Sequence, residues 1–329
     1  MERLFGLCLI LVPASALISQ LFAMCMRKTS LGQQIREEGP RVHRTKGGTP
    51  TIGGGVILLL WAICFPLLYW FGQLSLDGIF VLACGLFFGV VGLLDDLLSL
   101  CYQRSLGLSP SQKIMLVSAV SAALYFAFPH VGRTAFQVPF ASVTLTLPPI
   151  AFFFLTWAVY LWTTNSMNLT DGLDGLATGA TILILCGFLV IAPTRELAGV
   201  ILPLIAILTG FLWVNAHPAH LFLGDVGSFA LGGVVAALAL ATGSALILPL
   251  LAGLLVLESG SVILQVACFR LTGKRIFMIS PLHHHFESAE GIRHSYLLPA
   301  VEWPEPKITL RLWIVQALFV GLGIFAARF

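Results

Sequence analysis

The chain has 329 residues, of which 58% are apolar and 10% are charged, and its net charge is +3. Soluble domains carry about 25% charged residues, so this composition and a mean hydropathy of +0.95 exclude an ordinary soluble protein. They predict an all-α polytopic membrane protein that forms a single integral-membrane domain over residues 1–329.

Ten apolar runs have about the length that an α-helix needs to cross a bilayer. The first could be read as a secretory signal, because Ala14-Ser15-Ala16 resembles a cleavage site. The run continues past this site to Met26, so we expect a retained first helix. The predicted helices cover about 4–26, 52–72, 78–97, 113–129, 147–166, 175–193, 199–215, 226–243, 245–270 and 308–327.

The charges of the connecting segments predict how the chain crosses the membrane. Alternate connections, with the adjoining helix ends, hold 14 of the 18 Lys and Arg residues and five of the six Asp residues. Because positive charge favours cytoplasmic loops, we expect these connections in the cytoplasm, both termini outside, and a cytoplasm-facing cleft. The cytoplasmic set comprises 27–51, 98–112, 167–174, 216–225 and 271–307. On the other side, alternating apolar and polar residues over 130–148 predict a short β-hairpin.

Asp95 and Asp96 close the third predicted helix, in G-L-L-D-D-L-L. Two adjacent carboxylates among leucines are costly at membrane depth. They could hold a hard cation such as Mg²⁺, or place one ligand beside one proton acceptor. A solvated helix end is the alternative.

A second polar motif, N-L-T-D-G-L-D-G-L-A, runs from Asn168 to Ala177 between two apolar segments. Asp171 and Asp174 are three residues apart and would share a face if the segment is helical. The glycines allow the backbone to approach a ligand closely. The motif therefore indicates a binding site, although a capped loop between helices would also fit.

Asp225 stands in L-G-D-V-G-S, at the start of the eighth predicted helix. It could cap that helix, and the free N–H groups there could bind a phosphate. Because four other aspartates are predicted on the same side, we favour a metal ligand.

Two further motifs lie on that side. Lys46 and Thr51 in K-G-G-T-P-T offer a cation and a hydroxyl to a diphosphate, although basic loops beside membranes often bind lipid heads without specificity. His283, His284 and His285 could bind a metal, shuttle protons or bond phosphate oxygens. Three consecutive residues cannot point the same way, so we expect one or two of them to act.

Glu258 lies within the ninth apolar run, where a carboxylate is a functional candidate. A break in that helix that exposes Glu258 to a polar groove is the alternative.

Taken together and in this order, the motifs resemble the polyprenyl-phosphate N-acetylhexosamine-1-phosphate transferases, and the triple histidine resembles their phospho-N-acetylmuramoyl-pentapeptide branch. The residues that carry the resemblance are K-G-G-T-P-T-I-G-G at 46–54, D-D at 95–96, N-L-T-D-G-L-D-G-L-A at 168–177, F-L-G-D-V-G-S at 222–228, P-L-H-H-H-F-E at 281–287 and W-P-E-P at 303–306.

The resemblance implies a multi-pass enzyme of the bacterial cytoplasmic (inner) membrane with ten helices, a cytoplasmic active site, Mg²⁺ as cofactor and a homodimeric state. It implies transfer of phospho-MurNAc-pentapeptide from UDP-MurNAc-pentapeptide to undecaprenyl phosphate, which yields lipid I and UMP for peptidoglycan. Membrane lipid is a further expected partner, and nucleic acid is not.

The resemblance also implies roles for residues by their position in the motifs. Asp225 matches the magnesium ligand and Asp95-Asp96 the essential acidic pair, and 283–285 match the histidine cluster. The positions that match the nucleotide and diphosphate pocket are Lys46, Thr51, Asn168, Asp171, Asp174, Asn215 and Phe222.

The sequence departs from the family pattern in two places. The lysines that usually follow the acidic pair are absent, so a lipid-phosphate role would pass to Arg104 and Lys113. Residues 288–301 are inserted between the histidine motif and W-P-E-P, which predicts a longer cytoplasmic loop near the site. A sister transferase that uses UDP-GlcNAc or a related sugar, a membrane transporter, and a non-catalytic scaffold are the competing interpretations.

Overall fold

The computed structural model describes residues 2–28, 48–102, 107–129, 135–192, 194–292 and 294–328. Almost all regular structure in these ranges is helical, as predicted. The helices are α1 (Glu2–Lys28), α2 (Gly53–Trp70), α3 (Leu76–Tyr102), α4 (Pro110–Ala127), α5 (Pro149–Thr170), α6 (Leu176–Ile191), α7 (Arg195–Asn215), α8 (Gly224–Ala241), the short α9 (Leu248–Leu251), α10 (Gly253–Thr272) and α11 (Glu305–Ala326).

Each predicted membrane helix coincides with a long helix in the described part of the chain. Seven of these helices, α1, α2, α3, α7, α8, α10 and α11, are long and apolar enough to cross a bilayer. The protein is therefore a multi-pass membrane protein. Ten crossings, the position of the termini and the single domain remain predictions.

The ninth predicted helix is interrupted, because α9 ends before Ala252 and α10 begins after it. A Cβ at Gly253 would lie 2.1 Å from the Phe319 ring, so α10 can approach α11 closely only with glycine there. The break lies six residues before Glu258 in the sequence, and Glu258 is fully buried. The break that one of the two interpretations of Glu258 required is therefore present, but it does not expose Glu258 to a groove.

Helix α8 is the centre of the bundle. Every residue from Val226 to Ala241 is buried, and α3, α5 and α2 pack around it. Glycines permit this closeness: a Cβ at Gly92 of α3 would lie 2.0 Å from the Asp225 carbonyl oxygen, and one at Gly54 would lie 2.1 Å from the Gly227 Cα. The start of α8 is thereby fixed against two other helices.

The predicted hairpin is present. Strands β1 (Ala135–Gln137) and β2 (Thr144–Thr146) pair antiparallel, with Phe136 opposite Leu145. The Gln137 N–H donates to the Gly243 carbonyl oxygen just after α8, and the Phe140 N–H donates to the Ala326 carbonyl oxygen at the end of α11, both at 3.0 Å. The hairpin therefore joins the C-terminal ends of α8 and α11.

At the opposite end of the bundle, the helix ends that carry the polar motifs come together. The N-terminal turns of α4 and α8 meet the C-terminal turns of α3 and α5 there, through the contacts of Asp225 described below. The segment before α2 joins them, because the Phe222 N–H donates to the Pro50 carbonyl oxygen at 2.9 Å. The described ends of these connections therefore meet at one end of the bundle.

Candidate active site

Asp225 lies in a cluster of charged side chains where α3, α4, α5 and α8 meet. Its Oδ2 lies 2.7 Å from the Lys113 ammonium, which also lies 2.9 Å from Asp95 Oδ2. The three side chains are only 9% to 23% exposed. Two carboxylates from different helices are therefore directed at one cationic position.

The first turn of α4 places Lys113 there. Ser109 and Gln112 form a capping box at its start, with Pro110 in the first turn. The Leu108 N–H donates to Asp95 Oδ1 at 2.6 Å, which fixes the segment before the cap to α3.

Asp96 has a different position from Asp95. Its Oδ1 accepts from the Asp225 N–H at 3.2 Å and its Oδ2 accepts from the Val226 N–H at 3.0 Å. The first residues of α8 lack intrahelical partners for their N–H groups, and no residue of α8 supplies a side-chain cap. Asp96 supplies that cap from α3, so Asp225 is not the cap of its own helix.

Asn168 completes the surroundings of Asp225. Its amide Nδ2 donates to Asp225 Oδ1 at 2.7 Å and to Ser228 Oγ at 3.0 Å. Thr51 is buried close by, because a Cβ at Gly224 would lie 2.8 Å from Thr51 Oγ1 and 2.7 Å from Asp96 Oδ2. Gly224 has a φ of +75°, a conformation that glycine adopts without strain.

Phe222 and Thr51 are brought together by backbone pairing between their segments. The Gly53 and Gly54 N–H groups donate to the carbonyl oxygens of Phe222 and Leu223 at 2.9 and 2.8 Å. Phe222 is half-buried at this junction. Lys46 and Arg104 lie outside the described residues.

The turn between α5 and α6 carries Asp171 and Asp174. Asp174 is buried: its Oδ2 lies 2.9 Å from His217 Nδ1, and its N–H donates to Glu305 Oε1 at 2.8 Å. Glu305 Oε2 lies 3.5 Å from the same histidine nitrogen. Asp174, His217 and Glu305 thus form a second polar group at the start of α11.

Asn215 supports this region from the end of α7. Its Oδ1 accepts from Thr178 Oγ1 at 2.8 Å, and its Nδ2 donates to the Leu221 carbonyl oxygen at 3.0 Å. The side chain is buried and ties α6 to the segment that leads into α8.

The three histidines have three different environments, on a 3₁₀ turn at Leu282–Phe286. His283 is fully buried against Glu258, with Nδ1 to Oε2 at 3.0 Å. His284 is the most exposed, and its Nδ1 lies 2.6 Å from Glu287 Oε2. His285 Nδ1 accepts from the Met278 N–H at 3.0 Å, and burial lowers the pKa of this imidazole.

The inserted segment 288–301 returns along the chain that follows α10. The Leu297 and Leu298 N–H groups donate to the carbonyl oxygens of Arg275 and Ile276, both at 2.9 Å. His294 Nε2 contacts the Met278 carbonyl oxygen at 2.9 Å. The expected long loop is present and lies against 275–278.

Two residues of these groups, Glu305 and His217, were not singled out by the sequence, and the position of Lys113 was not anticipated. Lys113 was considered only as a substitute for absent lysines, although its place in the first turn of a capped helix near the acidic pair was a usable signal. Glu305 begins α11 within the W-P-E-P motif, which was quoted without a role. His217 follows Asn215 by two residues and had no distinguishing pattern.

The cluster around Asp225 suits a divalent cation. Asp225 Oδ2 and Asp95 Oδ2 share an ammonium as their common contact, and Asn168 fixes the other oxygen of Asp225. Carboxylate oxygens are the ligands that hard cations prefer. The residues present therefore fit a metal of this class.

The family profile and the individual relatives found by comparison with known proteins point to the same family. The profile of glycosyl transferase family 4 matches residues 79–243. Phospho-N-acetylmuramoyl-pentapeptide-transferase of Desulforamulus reducens is 40% identical over 310 residues, 92% of this chain and 89% of that protein. The proteins of that name from Kineococcus radiotolerans and Clostridium acetobutylicum are also 40% identical, over 94% and 83% of this chain and 93% and 86% of theirs. The chain therefore belongs to the phospho-N-acetylmuramoyl-pentapeptide transferases of glycosyl transferase family 4.

Proposed function

We propose that the protein transfers phospho-MurNAc-pentapeptide from UDP-MurNAc-pentapeptide to undecaprenyl phosphate, which gives lipid I and UMP in peptidoglycan synthesis. The observation that carries the proposal is that Asp95 and Asp225, from two helices, both contact the ammonium of Lys113. The chain is also 40% identical to phospho-N-acetylmuramoyl-pentapeptide transferases over most of its length.

Phosphoryl transfer needs positioning and charge neutralisation more than covalent chemistry from the protein. Asp225, with Asp95 beside it, would hold Mg²⁺. A bound divalent cation neutralises charge on the diphosphate and on the departing UMP. Asp96 holds the start of α8, and with it Asp225, in place, because both of its carboxylate oxygens accept backbone N–H groups there.

The phosphate of the lipid acceptor is the nucleophile, which attacks either the donor directly or an aspartyl-phosphate intermediate. The second pKa of a phosphate monoester is about 6, so this group needs little help to lose its last proton at neutral pH. We assign Lys113 to the attraction of the lipid phosphate and Asp95 to its orientation. Arg104 would assist from the same connection.

The donor would lie along the motif 168–177 and the junction of 50–54 with 222–223. Thr51, Asn168 and Asp171 would contact its diphosphate side, with Lys46 reaching the same phosphates. Phe222 would stack on the base, and Asp174 and Asn215 would shape the nucleotide pocket through their buried hydrogen bonds. His284, the most exposed of the three histidines, would bond a phosphate oxygen.

The same proposal includes the surroundings of the enzyme. The site would face the cytoplasm from the bacterial inner membrane, with ten crossings, both termini outside and a single transferase domain. The excess of Lys and Arg on the connections that meet at the site supports this orientation. A homodimer is the proposed assembly.

The test is an assay of purified full-length protein in lipid or mild detergent with Mg²⁺, undecaprenyl phosphate and UDP-MurNAc-pentapeptide. We expect UMP and lipid I to form in equal amounts. Asp225→Asn serves as the matched inactive control, because it keeps the shape of the side chain. No UMP from monodisperse, folded wild-type protein would overturn the proposal.

UDP-GlcNAc as the donor in the same assay tests the sister-transferase alternative. UMP release with UDP-GlcNAc and not with the muramoyl donor would assign the enzyme to that group. A transporter should carry ionisable groups along the membrane depth. Here the acidic motif residues of the described chain lie at one end of the bundle. Glu258 is fully buried and contacts His283, so it is not exposed to solvent.

A further inference from the structure

Glu258 on α10 and His283 form a fully buried pair of side chains next to Gly172. Both side chains are 0% exposed, and Glu258 Oε2 lies 3.0 Å from His283 Nδ1. The same oxygen lies 3.3 Å from the His283 backbone N–H, which donates to it. One carboxylate oxygen on α10 thus fixes both the backbone and the ring of the histidine.

The other side of the ring is directed at Gly172. A Cβ added to Gly172 would lie 2.1 Å from His283 Nε2 and 2.7 Å from its Cε1. His283 Nε2 is buried and has no hydrogen-bond partner among the described residues. The ring therefore lies directly against the backbone between Asp171 and Leu173, in a space that only glycine leaves open.

This turn is held on its other side as well. The Asp174 N–H donates to Glu305 Oε1 at 2.8 Å, and the Asp174 carboxylate contacts His217. Residues 171–174 thus lie between the start of α11 and the His283 ring. The ring of His284, the most exposed of the three histidines, lies 4.1 Å from that of His283, centroid to centroid.

From these contacts we infer that Glu258 is a positioning residue of the transfer reaction. It orients His283, and the His283 ring supports the Gly172 turn that presents Asp171 and Asp174 to the nucleotide-sugar donor. The inference rests on the proposed function for the identity of the donor. The inference gives the histidines different roles: His283 supports the turn from within the protein and does not contact the substrate.

The first experiment separates donor from acceptor in steady-state kinetics of the full-length protein. Glu258→Ala removes both contacts to His283, and we expect the KM for UDP-MurNAc-pentapeptide to rise about tenfold, with the KM for undecaprenyl phosphate within about twofold. Glu258→Gln keeps an acceptor at the same place and should restore most of the donor affinity. Ser261→Ala is the matched control, because Ser261 is buried on the same helix and its hydroxyl donates to the Glu258 backbone carbonyl oxygen and not to the Glu258 carboxylate.

Gly172→Ala tests the contact between the turn and the His283 ring from the side of the turn. Unlike Glu258→Ala, it keeps the contact of His283 with Glu258. It should give the same rise in donor KM, and the double variant with Glu258→Ala should resemble either single variant. Effects that multiply, or that alter both KM values equally, would contradict the inference.

Hydrogen exchange provides a measure that does not depend on turnover. The amides of Asp171, Asp174 and Leu176 are hydrogen-bonded within or beside the turn, so peptides over 168–176 should exchange several-fold faster in Glu258→Ala and Gly172→Ala than in the wild type. Unchanged exchange in these peptides would contradict the inference that Glu258 and His283 support the turn. A wild-type enzyme that releases no UMP would overturn the proposed function instead, while exchange still decides whether Glu258 supports the turn.

Discussion

The carboxylate of Asp96 accepts a hydrogen bond from the backbone N–H of Asp225 at 3.2 Å. The second member of the acidic pair therefore holds the helix that carries the proposed metal ligand. The first member, Asp95, contacts the ammonium that Asp225 also contacts. Two neighbouring residues of the same type thus have separate tasks, and the difference is open to measurement.

Asp95→Asn and Asp96→Asn form a matched pair for this purpose. Asp96→Asn replaces one acceptor by an amide donor that faces a backbone N–H, at a cost of about 1–3 kcal/mol, so its thermal midpoint should fall. Asp95→Asn should lose activity with a midpoint nearer that of the wild type. Thermal unfolding and UMP release measured on both variants check this, and equal midpoints would contradict the capping role of Asp96.

Asp225→Asn should abolish the response to Mg²⁺. We expect Mg²⁺ to raise the thermal midpoint of the wild type, because a ligand that binds the folded state stabilises it. The variant should show no such rise, and its rate of UMP release should fall by about 10²-fold or more. A variant that keeps both the Mg²⁺ response and its turnover would rule out Asp225 as the metal ligand.

Lys113→Gln should make the fold more dependent on divalent cations. The substitution leaves Asp95 and Asp225 facing each other without the ammonium between them, and like charges in a buried site repel. The midpoint at low Mg²⁺ should drop below that of the wild type, and Mg²⁺ should raise it by more. Lys274→Gln, at an exposed position after α10, is the control and should respond to Mg²⁺ like the wild type.

His285 should contribute a pH dependence of stability. Its Nδ1 accepts the Met278 N–H, and burial lowers its pKa below the ordinary value of 6.5. A histidine with a depressed folded-state pKa stabilises the protein fully above the unfolded pKa, and this contribution is lost as the pH falls from about 7 towards 5.

His285→Asn tests this contribution, because the Asn side chain can accept the same hydrogen bond without titrating. The difference in stability between wild type and variant should shrink or change sign as the pH falls. His220→Asn, at an exposed position, should leave the pH profile as it is. A difference that stays constant from pH 7 to pH 5 would contradict the assignment.

Gly92→Ala should disturb the junction of α3 and α8. The added Cβ would lie 2.0 Å from the Asp225 carbonyl oxygen, which is backbone and cannot turn aside. We expect a loss of about 1–3 kcal/mol and a lower rate of UMP release. Gly260→Ala on α10 is the control, since no atom lies within 4 Å of its Cβ position, and helix propensity favours the alanine by about 0.5–1 kcal/mol. Similar midpoints for both variants would refute the close packing.

Much of the fold could be predicted because membrane helices are recognisable in a sequence from the length and hydropathy of their apolar segments. The long helices of the described chain coincide with the predicted segments, and the hairpin was anticipated from alternation alone. A break in the ninth helix was one interpretation, but its position at Ala252 could not be predicted. Gly253 packs against Phe319 there, and a contact between residues far apart in sequence leaves no local pattern.

The site was predictable at the level of motifs but less so at the level of side chains. Motif order brought Asp95, Asn168 and Asp225 into one hypothesis, and their contacts place them together. The capping role of Asp96 could not be read from D-D, because the helix that it caps begins 128 residues later. His283 and Glu258 were each suspected, while their pairing required the structure.

The hairpin between α4 and α5 bears on the site from the far end of the molecule. Helices α8 and α11 both start near the polar motifs, with Asp225 and Glu305 in their first turns, and both end at the hairpin through Gly243 and Ala326. The hairpin therefore connects α8 and α11 at the ends that lie opposite Asp225 and Glu305. A change in the length of β1 or β2 should therefore alter the relative position of α8 and α11, and with it the distance between Asp225 and Glu305, although neither strand carries a residue of the proposed site.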